Sequence, residues 1–334
     1  MVKVSVIVPV YKVEPYMERC ARFLFEQTLK DVEYIFVDDC TPDNSMMVLE
    51  KVLKEYPSRV GQTHIVRHSE NRGLPSARNS GLALATGEYI IHCDSDDWVE
   101  KDMYEKMYEH AKETDADIVG CDFYEEYENS RKYVKQDFEL PHEEYLTNLL
   151  RGVKSVGGYV WCRMVKREMY EKNAIRCPDG LGMLEDLVLT VKLHHFAHVV
   201  AYCSQAFYHY NRLNVNSLVI NATLSQLESM INATSEIENF LKQERIYTKY
   251  HLAFMERAFL CKANMVFLPY LRNYQRWRIL WPEANKYVWK YHISFINKLI
   301  FSFAKYRLYV LTNILQSLKS FFSSLIRYNL FWKY

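Results

Sequence analysis

The sequence lacks a hydrophobic run long enough to span a membrane, because no apolar stretch reaches the roughly 18 uncharged residues that a spanning helix needs. The apolar stretch from Val4 to Val10 is also too short for the hydrophobic region of a secretion signal. The eight cysteines include no Cys-x-x-Cys pair, which indicates reduced, mostly buried thiols. These absences predict a cytoplasmic protein.

Acidic residues are absent from the end of the chain. After Glu283 the sequence has eight Lys and Arg and no Asp or Glu, which gives this part a charge of +8 and leaves −7 on the first 283 residues. Apolar residues recur there at helical spacing, at Leu311, Ile314, Leu315, Leu318, Phe321, Phe322 and Leu325, with Asn313, Gln316, Lys319, Ser320, Ser323 and Arg327 on the other face. This pattern predicts an amphipathic helix on an anionic membrane surface. The alternative is a helix pair that packs on the preceding part of the chain or on a partner subunit.

Two classes of protein have little support. No Gly-x-Gly-x-x-Gly segment follows a predicted strand, which argues against a dehydrogenase. The basic residues lie in an apolar tail rather than in a polar stripe, which argues against nucleic-acid binding. The 26 Tyr residues point instead towards sugar faces or a membrane interface.

Strand and helix patterns alternate over roughly the first 120 residues. Strands are predicted at Val2–Val10, Val32–Val37, Thr63–Val66, Tyr89–Cys93 and Ile118–Cys121, and helices at Tyr16–Leu29, from Pro42, at Leu74–Ala85 and at about Lys101–Thr114. The alternation predicts an α/β fold with a doubly wound, mostly parallel sheet. Further on we predict helices at Glu143–Leu150 and Asp186–Phe196, two short strands within Val199–Tyr210, and helices beyond Ala222.

Polar clusters stand at the ends of three predicted strands, namely Pro9–Tyr11, Asp38-Asp39 and Asp94–Asp97. In doubly wound sheets, ligands bind beyond the carboxyl ends of the strands. The three clusters are therefore candidates for one binding site.

The cluster at Asp94, Asp96 and Asp97 crowds three carboxylates into four positions, and a hard divalent cation would relieve their repulsion. The alternative is a solvated loop in which Asp97 caps the next helix. An EF-hand loop is excluded, because Trp98 occupies the next ligand position and the glycine is missing.

The pair Asp38-Asp39 ends the second strand, and only one of two adjacent carboxylates can point into a ligand crevice. That carboxylate would contact a base or a ribose. The alternative is a helix cap before Pro42 and Asp43.

Four segments resemble, in order and spacing, the family 2 glycosyltransferases. They are VSVIVPVYK (Val4–Lys12), FVDDCTPDNS (Phe36–Ser45), NRGLPSARNSGLALATGEYIIHCDSDDW (Asn71–Trp98) and GLGMLED (Gly180–Asp186). The resemblance extends from about Val2 to Leu218. It implies a GT-A fold, inversion at the anomeric carbon, and a nucleotide-sugar donor.

Carried over by matching position, the resemblance implies that Asp39 contacts the nucleobase, typically uracil. Pro9 and Tyr11 would frame that pocket, and the donor site would also be lined by Asn71, Gly73 and Arg78. Cys40 and Pro42 depart from the family pattern, in which Gly and Thr are frequent, so the turn after Asp39 can differ.

The resemblance also places Asp94 near the ribose and the donor sugar, with Asp96 binding the metal, Mn²⁺ or Mg²⁺, that bridges the diphosphate. Asp94 and His209 are further candidate metal ligands. In the Glu185-Asp186 pair, Asp186 matches the general base. Acids are also common in the first turn of any helix.

Three further residues have two interpretations each. Arg212 would add positive charge against the phosphates, or is an ordinary surface arginine. His209 would contact the metal or the donor, or is a packed core histidine. Trp161 would be an aromatic residue on the acceptor side, or a buried core tryptophan.

We therefore predict a catalytic domain at 1–218, with a nucleotide-sugar-binding half at 1–122 and an acceptor-side half at 123–218, and a helical C-terminal region at 219–334. The predicted enzyme is a hexosyltransferase-type glycosyltransferase that uses a UDP-sugar and a saccharide or lipid-linked acceptor in surface polysaccharide biosynthesis, peripheral at the inner face of the cell membrane. A non-catalytic scaffold of the same fold is the alternative. A nucleotidyltransferase is less favoured, because VPVYKVEPY lacks a glycine- and arginine-rich phosphate loop.

Overall fold

The structure is a computed structural model that describes residues 1–214, 223–291 and 293–326, with side chains as far as Lys319. The chain divides into two compact units, one built from residues 1–146 and 155–220 and the other from 147–154 and 221–334. The predicted domain boundary at 218 lies outside the described residues, and so do the predicted tail positions Arg327 and beyond.

The first unit contains a sheet of nine strands. They are β1 (Val4–Val10), β2 (Val32–Asp38), β3 (Thr63–Arg67), β4 (Tyr89–His92), β5 (Trp98–Val99), β6 (Ile118–Tyr127), β7 (Ser130–Val134), β8 (Arg163–Lys166) and β9 (Val200–Asn211). The helices of this part of the chain are α1 (Glu14–Phe25), α2 (Ser45–Lys54), α3 (Pro57–Val60), α4 (Leu74–Leu84), α5 (Met103–Thr114), α6 (His142–Arg151), α7 (Arg167–Lys172) and α8 (Glu185–Phe196), with a 3₁₀ turn at Val160–Cys162.

The strand order is β3-β2-β1-β4-β8-β6-β9-β5, and β7 pairs with β6. The pairs β1/β2, β2/β3, β1/β4 and β6/β9 are parallel, whereas β8 is antiparallel to β4 and β6. Every residue of β1 and β4 is buried, as expected for strands covered on both faces. The predicted α/β architecture is confirmed, and the strand order reverses beside β1, where such sheets bind ligands.

Several predicted elements differ from the structure, among them α1, which ends at Phe25 rather than Leu29, and β6, which continues to Tyr127 rather than ending at Cys121. The helix expected from Pro42 begins at Ser45, because Asp43 accepts hydrogen bonds from the backbone nitrogens of Ser45 and Glu14 and so holds the preceding turn against α1. The two strands expected within Val199–Tyr210 form the single strand β9. Its register against β6 shifts around Asp122, and the polar residues at this irregularity look like a break in the sequence.

The second unit is helical. It contains α9 (Leu224–Gln243), α10 (Tyr247–Lys262), α11 (Asn264–Phe267), α12 (Tyr274–Ile279), α13 (Phe295–Lys305) and α14 (Tyr309–Ile326), with 3₁₀ turns at Pro269–Leu271 and Pro282–Tyr287. Thr223 and Gln226 form a capping box at the start of α9, which fixes where that helix begins. Within residues 1–214, 223–291 and 293–326, no helix combines the length and the apolar character needed to cross a membrane.

Candidate active site

The carboxyl ends of β1, β2 and β4 meet at one edge of the sheet. Val10 pairs with Asp38, and Ile7 pairs with His92, so the three strands run in register towards this edge. The Ser95 hydroxyl donates a hydrogen bond of 2.6 Å to the carbonyl oxygen of Pro9, which ties the loop after β4 to the end of β1. Two of the three predicted polar clusters are thereby joined.

Arg78 brings together three acids from two distant parts of the sequence. This side chain of α4 is 1% exposed. Its Nη2 lies 3.0 Å from Oδ1 of Asp94, its Nη1 lies 3.1 Å from Oε1 of Glu185, and Nη1 also contacts Oδ1 of Asp186. Two acids in the first turn of α8 are thus held beside the carboxylate that follows β4, so four predicted site residues form one cluster.

The carboxyl group of Asp186 has a raised affinity for protons. Burial raises the pKa of Asp186 to about 7, against the lowering effect of the Arg78 charge, while Glu185 and Asp94 raise it further. Its side chain remains 21% exposed, so it can reach a bound molecule. A carboxylate with a pKa near neutrality is suited to accept a proton from an attacking hydroxyl.

Asp39 organises the loop that leads into α4. Its Oδ1 accepts hydrogen bonds from the backbone N–H of Arg72 and lies 2.7 Å from Nδ1 of His68, and its Oδ2 accepts a bond of 2.8 Å from the N–H of Gly73. Among the described residues, the Gly73 N–H is the one donor to Oδ2, which therefore retains the capacity to accept a second hydrogen bond. That free acceptor position is what a nucleobase N–H would require.

Of the other residues predicted for the nucleotide pocket, Gly73 and Asn71 lie in this loop and Tyr11 follows β1. Gly73 has a φ of +86°, a conformation that favours glycine, at the residue before α4. Asn71 is exposed in the same loop, and Tyr11 is exposed after β1. Cys40, which departs from the family pattern, has a φ of +56°, so the turn after Asp39 keeps a left-handed residue without glycine.

The loop after β4 is anchored through Asp97. This carboxylate is fully buried, and it accepts hydrogen bonds of 2.7 Å from the Tyr208 hydroxyl and from the Asn211 backbone N–H, both in β9. Asp97 therefore caps no helix, and α5 begins only at Met103. Burial and the neighbouring acids raise the pKa of Asp97 well above its ordinary value.

Asp96 is the carboxylate predicted to bind the metal. Its Oδ2 accepts a bond of 2.7 Å from the Asn214 side-chain amide, and burial together with the charge of Asp94 raises its pKa. Crowded, half-buried carboxylates such as Asp94 and Asp96 fit a hard cation that neutralises them. In the part of the chain that the structure describes, no group of three or more His, Cys, Asp or Glu side chains is placed to hold a metal ion.

His209 does not join Asp94 and Asp96, contrary to the prediction. Its Nδ1 lies 2.7 Å from Glu126 and its Nε2 3.0 Å from Glu100, so carboxylates occupy both ring nitrogens. The ring is stacked between Trp98 and Tyr124, at centroid distances of 5.0 and 5.2 Å. The packed core histidine is the correct interpretation, because a ring with both nitrogens engaged has no lone pair for a metal.

Two other predicted residues also point elsewhere. The Arg212 guanidinium contacts Glu125 and lies over the ring of Tyr210, so its charge is paired within the protein. Trp161 is buried and stacks on Tyr208 at 4.2 Å, which makes it a core residue. Neither residue was distinguishable from a site residue in the sequence, because both contacts join segments that are distant in the chain.

Sequence reasoning missed the residues that hold the predicted acids in place. His68 bridges Asp39 and the Ser80 hydroxyl, to which its Nε2 lies at 2.8 Å. Tyr208 and Asn211 hold Asp97, as described above. The position of His68 two residues after the strand predicted at Thr63–Val66 was the one signal available for it.

The sequence model described as glycosyl transferase family 2 matches residues 5–173. The chain belongs to this family. Among its relatives, the uncharacterized glycosyltransferase EpsJ of Bacillus subtilis (strain 168) is 35% identical over 220 residues, which cover 64% of this chain and 62% of EpsJ. EpsH of the same organism, also named a glycosyltransferase, is 32% identical over 254 residues, which cover 74% of this chain and 71% of EpsH.

Family 2 membership confirms the resemblance inferred from the four sequence segments. It also confirms the predicted enzyme class, a glycosyltransferase. The crystal structure of S. aureus TarS, residues 1–349, has a TM-score of 0.67 at 19% identity and covers 94% of this chain and 90% of that one. This likeness confirms the GT-A fold with a helical C-terminal region. TarS has also been solved in complex with UDP-GlcNAc, and that structure has a TM-score of 0.64.

Proposed function

We propose that this family 2 glycosyltransferase transfers a sugar from a UDP-sugar to a saccharide or lipid-linked saccharide acceptor, with inversion, in the synthesis of a surface polysaccharide. The observation that carries the proposal is the Arg78 cluster. In this cluster a single guanidinium contacts both Asp94, which follows β4, and Asp186, the candidate base. A donor and an acceptor hydroxyl between these two groups would be positioned for direct displacement.

In the proposed reaction, the acceptor hydroxyl attacks the anomeric carbon of the donor sugar. A new carbon–oxygen bond forms to the acceptor, the bond from the anomeric carbon to the diphosphate oxygen breaks, and the hydroxyl proton passes to Asp186. One displacement inverts the anomeric centre, and UDP leaves with both bonding electrons. Arg78, which also donates to Glu185, would hold Asp186 and Asp94 in place during this step.

A uridine donor is supported by the chemistry of Asp39. The carboxylate oxygen Oδ2 can accept a further hydrogen bond, as the N3–H of uracil would donate, whereas cytosine presents an acceptor at N3. The UDP-GlcNAc complex of TarS, a protein of the same fold, agrees with this choice.

A divalent metal, Mn²⁺ or Mg²⁺, is part of the proposal. Asp96 and Asp94 would hold it, because they are acidic oxygen ligands at the donor edge and the pKa of Asp96 is raised by burial and by Asp94. When bound, the ion would supply positive charge to the diphosphate leaving group. His209 is left out of the proposed metal site, because both of its ring nitrogens lie against carboxylates of Glu126 and Glu100. Arg212 is not assigned a role in this step, since its Nη2 is paired with Glu125.

Two parts of the proposal, the lipid-linked acceptor and action at the cytoplasmic face of the cell membrane, are supported by the basic C-terminal region. This region has no acidic residue after Glu283. Positive charge near an anionic leaflet would keep the enzyme where lipid-linked saccharides are presented.

The test is release of UDP from UDP-GlcNAc and UDP-glucose by wild type and by Asp186→Asn, with binding of UDP measured in parallel. We expect the variant to lose at least about a hundredfold in turnover, the lower range for general bases, and to bind UDP as wild type does. Asp179→Asn is the matched control, because Asp179, which precedes α8, accepts a bond from Ser76 of α4 and lies outside the Arg78 cluster. Equal turnover by Asp186→Asn and wild type would refute the role of Asp186. Binding of UDP with no turnover of any sugar by wild type would favour the scaffold.

A further inference from the structure

Large apolar side chains lie exposed along the outer side of α14. Val310 is 73% exposed, Ile314 50%, Leu318 46% and Leu311 44%. They recur three and four residues apart and thus form a continuous stripe on one face of the helix. A contiguous apolar surface of this kind marks a site of contact with a membrane or a protein.

The opposite face of α14 is polar and is turned towards the protein. Thr312 is fully buried, and the Gln316 side-chain amide donates a bond of 2.8 Å to the carbonyl oxygen of Val266. Lys319 donates to Asn297 at 2.8 Å and lies over the ring of Phe267. A surface helix in water normally packs its apolar stripe against the protein core. In α14 the polar face packs against the protein and the apolar stripe is exposed.

The turn between α13 and α14 extends this surface. Tyr306 is 67% exposed and Leu308 45%, and the exposed Arg307 lies between them. Lys305 precedes them at the end of α13. Aromatic and aliphatic side chains next to cationic ones suit the boundary between lipid headgroups and acyl chains.

The positive charge of this part of the chain favours an anionic partner at this surface. The chain has eight basic residues and no acidic residue after Glu283. A second copy of the same surface would bring like charges together, whereas an anionic lipid surface would neutralise them.

We propose that the outer face of α14, with the turn at Tyr306–Leu308, is a membrane-contact surface that lies flat on an anionic lipid leaflet. The apolar stripe enters the level of the headgroups, and Lys305 and Arg307 contact lipid phosphates. This inference deepens the proposed function and rests on it for the lipid-linked acceptor, but the binding itself requires no catalysis.

The test is co-sedimentation of the full chain with vesicles of phosphatidylcholine alone or mixed with phosphatidylglycerol. We expect binding to the mixed vesicles only, weakened by high salt. In Val310→Glu/Ile314→Glu, two acids replace exposed apolar groups, and partitioning should fall about tenfold or more. The matched control is Met47→Glu/Leu84→Glu, which makes the same change at positions of the first unit that are 68% and 49% exposed. This control should bind as wild type does.

Equal vesicle binding by Val310→Glu/Ile314→Glu and wild type would overturn the proposal. So would a wild-type chain that ignores vesicles but forms a dimer, measured by analytical ultracentrifugation, that the same variant dissociates. UDP release measured on the same preparations separates the two proposals. Lost vesicle binding with unchanged UDP release leaves the catalytic proposal intact, and vesicle binding without any UDP release contradicts the catalytic proposal alone.

Discussion

Replacing Arg78 by Met should destabilise the protein strongly. The guanidinium is 1% exposed and touches Asp94, Glu185 and Asp186, so its loss leaves three acids without their shared partner. Removing one partner of a buried ionic network costs about 3–5 kcal/mol. For a folded unit of this size, each kcal/mol lowers Tm by about 2–4 °C, so we expect a decrease on the order of 10 °C at pH 8.

The pH dependence of this loss has a definite sign. Arg78 lowers the pKa of Asp186, so Arg78→Met raises that pKa further above its value in the unfolded chain. The native variant then binds more protons than the unfolded chain between the two pKa values, and its free energy of unfolding falls as pH rises through that window. The difference between wild type and Arg78→Met should therefore be larger at pH 8 than at pH 5.5.

Thermal unfolding followed by circular dichroism at the two pH values tests this reasoning. Arg163→Met is the matched control, because Arg163 is equally buried but donates to neutral groups, namely the carbonyl oxygen of Gly157, the Tyr145 hydroxyl and Nε2 of His194. Its destabilisation should not grow between pH 5.5 and pH 8. A loss for Arg78→Met that is independent of pH, or smaller at pH 8, would refute the account of the acidic cluster.

Further predictions concern catalysis, binding and the helical unit. The kcat/KM for transfer should rise as pH passes through about 7, where Asp186 loses its proton, and a flat profile between pH 5.5 and 8.5 would contradict its role as base. His68→Ala should weaken UDP binding about tenfold in calorimetry, because Asp39 loses its ring partner, and unchanged affinity would show that His68 does not position Asp39. Lys262→Met should lower the free energy of unfolding by about 1–3 kcal/mol in urea titration, since the buried Nζ donates to the carbonyl oxygens of Trp277 and Trp281, and an unchanged midpoint would exclude that contribution.

The elements that could be predicted from the sequence are those with a strong local pattern. The apolar runs of β1 and β2 were predicted to within two residues of their observed ends, and so was α4. In each of these elements, the buried residues form a pattern that is visible within the segment's own sequence. The strand β9 was predicted as two pieces, because its irregular pairing with β6 interrupts the alternation that identifies a strand.

The contacts of the site depend on tertiary packing and were only partly predictable. The order of the motifs identified Arg78, Asp94 and Asp186, but no spacing in the sequence indicates that one guanidinium joins them across 108 positions. The prediction of His209 as a metal ligand was wrong for the same reason, since the pairing of β9 with β5 and β6 places Glu100 and Glu126 beside its ring. Local sequence shows which side chains have reactive groups. The tertiary fold determines which of these groups are available to a ligand and which are paired with each other.

The most direct test of the proposed donor site is calorimetric binding of UDP, GDP, CMP and dTDP, each with Mn²⁺ and with chelator. Wild type and Asp96→Ala are compared, with Asp102→Ala as the control, because Asp102 pairs with Lys106 at the surface. The account predicts that UDP binds with Mn²⁺, that chelator weakens the binding, and that Asp96→Ala abolishes the effect of the metal while Asp102→Ala does not. Binding of none of the nucleotides, or equal binding by wild type and Asp96→Ala, would contradict it.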